Sequence, residues 1–184
     1  TVTLTCNIEI TPNTYVDLEK YDLYIAGIQV TNANASDILG DGTVSYDNDA
    51  KTLTLNNAYI KTSEYRGIYN QGIDGLTINS VGDNYVEGSS TGLAAYADTV
   101  ITGSGKLSIY GINYGIAPDK NVNITFKDAD DVTVSAYSMG AIRNGNNTAK
   151  QNNTLLFDNS NVHLIHKDDK PAVAVIDNIL FNNS

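Results

Sequence analysis

The chain has 184 residues, with 21 Asp and Glu against 11 Lys and Arg and a net charge of −10. The length fits one domain, and the charge argues against nucleic acid or anionic lipid as a partner, because a phosphate-binding surface needs a basic stripe. No apolar run reaches the roughly 18 residues that cross a bilayer, and a lone cysteine, Cys6, leaves no internal disulfide or Cys-based metal site.

Asn, Thr, Ser, Gly and Tyr abound while Lys and Glu are scarce, a composition shared with exported bacterial surface proteins. The first residues lack the charged and apolar regions of a signal peptide, so an exported form has lost its signal.

Residues 1–10 alternate as a strand in which Cys6 reads as a structural thiol, and Pro12-Asn13 breaks it. Leu23-Tyr24-Ile25 and Ile28-Gln29-Val30 about Ala26-Gly27 give a hairpin signal. Gly40-Asp41-Gly42 turns the chain, Thr43 to Tyr46 forms a strand, and Asp47 to Ala50 turns it again. Residues 1–50 do not follow the repeat that comes next, and are assigned to a β cap over its open end.

From residue 53 the aliphatic pairs Leu53/Leu55, Leu76/Ile78, Thr99/Ile101 and Val122/Ile124 recur at steps of 23 residues. A second pulse follows each first one (Tyr59-Ile60, Tyr85-Val86, Ser108-Ile109, Thr133-Val134, His163-Leu164). A third is marked by glycine (Gly67-Ile68, Gly92-Leu93, Gly115-Ile116, Gly140-Ala141).

Three short strands per period, Asn, Asp, Gly and Ser at the corners, and no helical window predict an all-β, right-handed parallel β-helix. It has about six coils of ~23 residues over 51–184. A leucine-rich repeat has a similar period, but its consensus is missing. Equivalent positions should stack as a column of Leu55, Ile78, Ile101, Ile124, Leu155 and Ile179, beside a second column running Asn57, Ser80, Gly103, Phe126, Phe157 and Phe181.

Ile124 to Leu155 spans 31 residues, so residues 144–153 form a long polar loop, a usual place for function. The chain stops at the corner Asn182-Asn183-Ser184, which suggests truncation or an edge covered by another domain or subunit.

Tyr65, Tyr69, Tyr96, Tyr114 and Tyr137 all lie within four residues of the third-strand glycines and should gather along one side, where sugar rings could stack on them. Arg143 is counted with this ligand-binding set. Arg66 and Arg143 are the only arginines, three coils or about 14 Å apart, too far to act together on one bond, and both read as surface charges.

Asp128, Asp130 and Asp131 at a corner, with Asp158 one coil on, are the candidate oxygen ligands for calcium, set against a solvated acidic turn. Asp41, Asp47 and Asp49 form a second set of that kind. His163 and His166, at an odd offset on a strand, face opposite sides and do not chelate one ion.

The run YDLYIAGIQVTNANASDILGDGTVSYDNDAKTLTLNNA over residues 21–58 resembles a module of secreted proteins from gut clostridia. In the repeat region the chain is similar to the carbohydrate-binding, polysaccharide-lyase-like β-helix family. The resemblance implies an extracellular β-helix that binds polysaccharide or serves in adhesion, with lyase or glycoside hydrolase activity as the alternative and no catalytic residue assigned.

Overall fold

The computed structural model describes residues 17–145, 151–168 and 171–184. Cys6 and the strand expected over 1–10 lie outside them, as do residues 146–150 of the expected long loop.

The cap opens with a hairpin of β1 (Lys20–Ile25) and β2 (Ile28–Thr31). Its two-residue turn, Ala26-Gly27, has φ of 50° and 83°, the doubly positive pattern whose twist matches paired strands. After β3 (Val44–Asp47) the coils begin. The first is β4 (Thr52–Asn56), β5 (Tyr59–Lys61) and β6 (Arg66–Asn70). The second is β7 (Leu76–Val81), β8 (Asp83–Gly88) and β9 (Thr91–Ala95).

In the third and fourth coils the first two strands run together as β10 (Thr99–Gly111) and β12 (Ile124–Ala136), followed by β11 (Tyr114–Pro118) and β13 (Gly140–Arg143). The fifth is β14 (Thr154–Asp158), β15 (Val162–His166) and β16 (Val173–Ala174), and β17 (Asn178–Asn182) adds one more first strand.

Among the described residues every coil-to-coil pairing is parallel, which makes a parallel β-solenoid of five coils plus a strand. The cap strands pair antiparallel to it, β1 on β6 and β3 on β4. Leu23, Ile25, Val30, Ile38 and Val44 of the cap join the same buried cluster as the coil interior, which closes that end of the core.

The second-strand columns stack as the sequence indicates: Ile60, Val86, Ile109, Val134 and Leu164 lie in register. The first-strand register differs from the even 23-residue step. Leu53, not Leu55, lies on Ile78, and Ile101 lies on Phe126, not Ile124, while Ile78 on Ile101 keeps the expected offset. The true column is Leu53, Ile78, Ile101, Phe126, Phe157 and Phe181.

The difference arises at the third corner. Ile68 to Ile78 and Ile116 to Phe126 each take ten positions, whereas Leu93 to Ile101 takes eight. A slip of two leaves every side chain on its own face, so the apolar alternation is blind to it. In the third strand Ile116 pairs with Ile142, so Ala141, not Gly140, occupies the place of Gly115.

That place is occupied by glycine in the first three coils because of a close approach, with backbone φ in the ordinary range. A Cβ on Gly92 would sit 2.5 Å from Ile109 Cγ2 and 2.8 Å from the Gly115 carbonyl, and one on Gly115 would sit 2.5 Å from Val134 Cγ1. The third strand is therefore pressed onto the second-strand aliphatics.

Corners that turn inward carry buried asparagines. Asn84 Oδ1 accepts from the Ala58 amide at 2.8 Å while its Nδ2 donates to Ser80 Oγ and the Val81 carbonyl at 2.9 Å. Buried polar groups are thereby satisfied within the turn.

Phe126, Phe157 and Phe181 stack with centroids 5.2 and 5.1 Å apart and interplanar angles of 4° and 11°. Phe126, at the inner end of this pile, is fully buried. Phe126→Ala is expected to lower unfolding stability by about 3–5 kcal/mol, measured as a fall in the urea midpoint.

Candidate functional site

The third strands β6, β9, β11, β13 and β16, with β1 at the cap end, form one face of the solenoid. Register along it sets Tyr24, Tyr69, Ala94 and Ala117 in one column, and Arg143 follows in step with Ala117 because Ile116 pairs with Ile142. Two alanines between tyrosines at one end and an arginine at the other leave a depression where larger side chains would have filled the surface.

The aromatic end of this groove is assembled around Arg66. Its guanidinium carbon lies 4.2 Å from the Tyr69 ring centroid, 5.2 Å from Tyr65 and 5.6 Å from Tyr96, all within cation–π range. Its Nη2 also donates to Tyr96 Oη at 3.3 Å. Tyr69 meets Tyr96 edge-on at 5.0 Å and stacks with Tyr24 at 5.8 Å. Arg66 makes no ion pair among the described residues.

Two cavities meet at Tyr65 and Arg66. One of about 240 Å³ runs over Ala94 and Ala117 between Tyr96 and Tyr114 and includes Asp119. The other, about 360 Å³, lies toward the cap between Tyr24, Tyr69 and Glu64. Ring faces, an alanine floor, guanidinium donors and carboxylate acceptors are the groups that hold a sugar ring by stacking and bond its hydroxyls.

Of the tyrosines singled out in the sequence, Tyr65, Tyr69, Tyr96 and Tyr114 are brought together here. Tyr137 is not: it is exposed at the corner before β13, its amide donating to the Ile112 carbonyl at 3.2 Å. Arg143 stands one register step past the alanine floor, with Nη1 donating to the Met139 carbonyl at 3.2 Å, and lines neither cavity.

Arg66, read from the sequence as a surface charge, is the centre of the cluster. Asp119 and Tyr24 were also missed. Counting 25 residues from Tyr69 reaches Ala94, and that step would have exposed the gap in the column, but Tyr24 enters by antiparallel pairing, which no repeat period announces.

The acidic candidates are not gathered. Asp128, at the corner with φ of 49°, accepts from Asn159 Nδ2 at 2.8 Å, and Asp158 accepts from Asn182 Nδ2 at 2.5 Å. Asp130 is exposed, and Asp131 pairs in register with Lys106. Among the described residues no three acidic, histidine or cysteine side chains converge as a metal site. Asp41 and Asp47 likewise accept from turn amides of Thr43 and Ala50.

A second tyrosine file lies on the second-strand face, and there the polar groups satisfy one another. Tyr59 stacks on Tyr85 at 5.3 Å, Tyr85 donates to Glu87 Oε2 at 2.5 Å, and Lys61 pairs with the same oxygen at 3.2 Å. No family model matches the chain, and no match was found among curated proteins or solved structures.

Burial, followed by the charge of Tyr96, pushes the Tyr69 hydroxyl above the ordinary tyrosine range while Arg66 pulls it down. Burial and the bond to Glu87 push Tyr85 up further. Both folded values are raised, so the stability they confer is complete below the unfolded tyrosine value of about 10 and is lost as pH rises through the folded values. An alkaline absorbance titration should show a late-ionising class of tyrosines that appears together with loss of the β-sheet circular dichroism, reduced in Tyr85→Phe.

Proposed function

We propose that the chain is a non-catalytic, extracellular carbohydrate-binding β-solenoid module, with a glycan lying along the groove between Tyr69 and Arg143. The observation that carries this reading is the aromatic cluster of Tyr65, Tyr69 and Tyr96 around Arg66, opening onto a floor of Ala94 and Ala117. A groove running across the third strands advances by about 4.8 Å per coil, so its length suits an extended oligosaccharide better than a single small molecule.

Rings already fixed against one another lose little freedom when a sugar stacks on them, which favours binding by a preformed surface. The resemblance of residues 21–58 to secreted clostridial modules points to the same class and to a place outside the cell. Adhesion to a glycan-coated surface is the same chemistry used for attachment.

The test is titration calorimetry against soluble neutral and acidic polysaccharides, with product analysis of the same mixtures. Binding without new reducing ends or unsaturated uronates supports the module; release of either product makes the chain a hydrolase or lyase instead. Tyr96→Ala and Arg66→Ala are each expected to weaken binding about tenfold with circular dichroism unchanged, while Tyr59→Ala on the other face leaves it as it was. Equal loss in all three variants would remove the groove from the argument.

A further inference from the structure

The cavity over Ala94 and Ala117 is bordered by two opposite charges. Among the described residues that line it, Arg66 and Asp119 are the charged ones. They stand two coils apart at opposite ends of the third strands, Arg66 at the start of β6 and Asp119 just past Pro118, the last residue of β11.

Each charge is held from its own side. Three tyrosine rings and the bond from Nη2 to Tyr96 Oη hold the guanidinium on the first two coils. The main chain of Asp119 is fixed at its corner, where its amide donates to the Ala95 carbonyl at 2.8 Å and its carbonyl accepts from Asn153 Nδ2 at 2.7 Å. The Asp119 carboxylate makes no hydrogen bond or ion pair among the described residues. Beyond burial and the charge of Tyr96, the Tyr69 hydroxyl is pulled down by Arg66 and pushed up by Asp119, so both charges act on the same space.

We infer that this cavity selects a zwitterionic glycan, with the ammonium of an unacetylated amino sugar against Asp119 and a carboxylate of the same or the adjoining sugar against Arg66. The inference rests on the glycan reading of the groove and adds the charge of the ligand. A volume of about 240 Å³ lies below the ~300–1,000 Å³ of sites for drug-sized ligands, so it takes roughly one sugar ring. Arg66 also borders the cavity toward the cap, so its carboxylate partner can belong to the next ring.

A neutral ring seated here strips water from both charges and pairs neither. A ring with a single charge pairs one and leaves the other covered. A ligand with both signs satisfies the two together, and the mismatch of every other ligand becomes discrimination. A free amine also gains from the ring faces of Tyr96 and Tyr114, which acetylation forfeits. The net charge of −10 acting alone would favour a purely cationic glycan, so the order of affinities separates the site from general attraction.

The test is titration calorimetry of the full 184-residue chain with four oligosaccharides of matched length, at about 0.15 M salt to screen general attraction. They are alternating glucosamine and glucuronate with free amines, the same chain N-acetylated, chitosan fragments and chitin fragments. The first carries both charges, the next two carry one each and the last carries none. The first should bind at least about tenfold tighter than each of the others. Asp119→Asn should erase the preference for the free amine over its acetylated form, and Arg66→Gln the preference for the glucuronate chain over chitosan, both with unchanged circular dichroism. Equal binding of all four, or tightest binding by a singly charged or neutral chain, overturns the inference while the carbohydrate-binding module stands. A preference for the free amine that survives Asp119→Asn overturns it as well, by placing the ammonium elsewhere. If none of the four binds while another soluble polysaccharide does, the inference falls alone; if no glycan binds at all, the groove reading falls with it.

Discussion

Parallel pairing between equivalent strands sets a rise of about 4.8 Å per coil, and the rest of the molecule accommodates that spacing. Side chains at one register position must stack, so the interior is a set of columns rather than a mosaic. The rise is close to the separation of stacked rings, which is why the phenylalanines lie nearly parallel at 5.2 and 5.1 Å. Strands cannot change length without losing register, so variation in coil length is pushed into the corners, above all the third. There, buried Asn70 holds the turn by donating to the Ile73 carbonyl and accepting from the Ile73 amide.

The same spacing makes the outer faces. Where a column passes from tyrosine to alanine, the surface sinks by the difference between the side chains, and a groove appears without any special loop. Arg66 sits at its edge with ring faces around it in place of carboxylates, which leaves the outer edge of the guanidinium as a donor. On the second-strand face the opposite happens: Glu87 is engaged by Lys61 and Tyr85, and that tyrosine file is internally satisfied. The two faces have similar residues but differ in which partners the register brings alongside.

Capping by antiparallel strands solves one end of the stack and contributes to the groove as well, since Tyr24 of the cap extends the tyrosine column beyond the first coil. Past the last full coil, Asn182 of β17 donates to Asp158 of β14 and ties the two strands together at their corner.

Amino-acid order alone determined that each coil has three strands, which residues face inward, where the hairpin of the cap turns, and that tyrosines crowd the third strand. These follow from local alternation and turn chemistry, which act over a few residues. Only the tertiary structure decided the register. Leu53 and Leu55 are equally apolar and on the same face, so a shift of two costs the pattern nothing, and corner geometry alone tells them apart. The site shows the same division: the tyrosines were legible, but the place of Arg66 among them, the entry of Tyr24 and the dispersal of Asp128, Asp130, Asp131 and Asp158 depend on which coil lies against which. Contacts between neighbouring coils join residues some 25 positions apart, and no short-range signal in the chain records them.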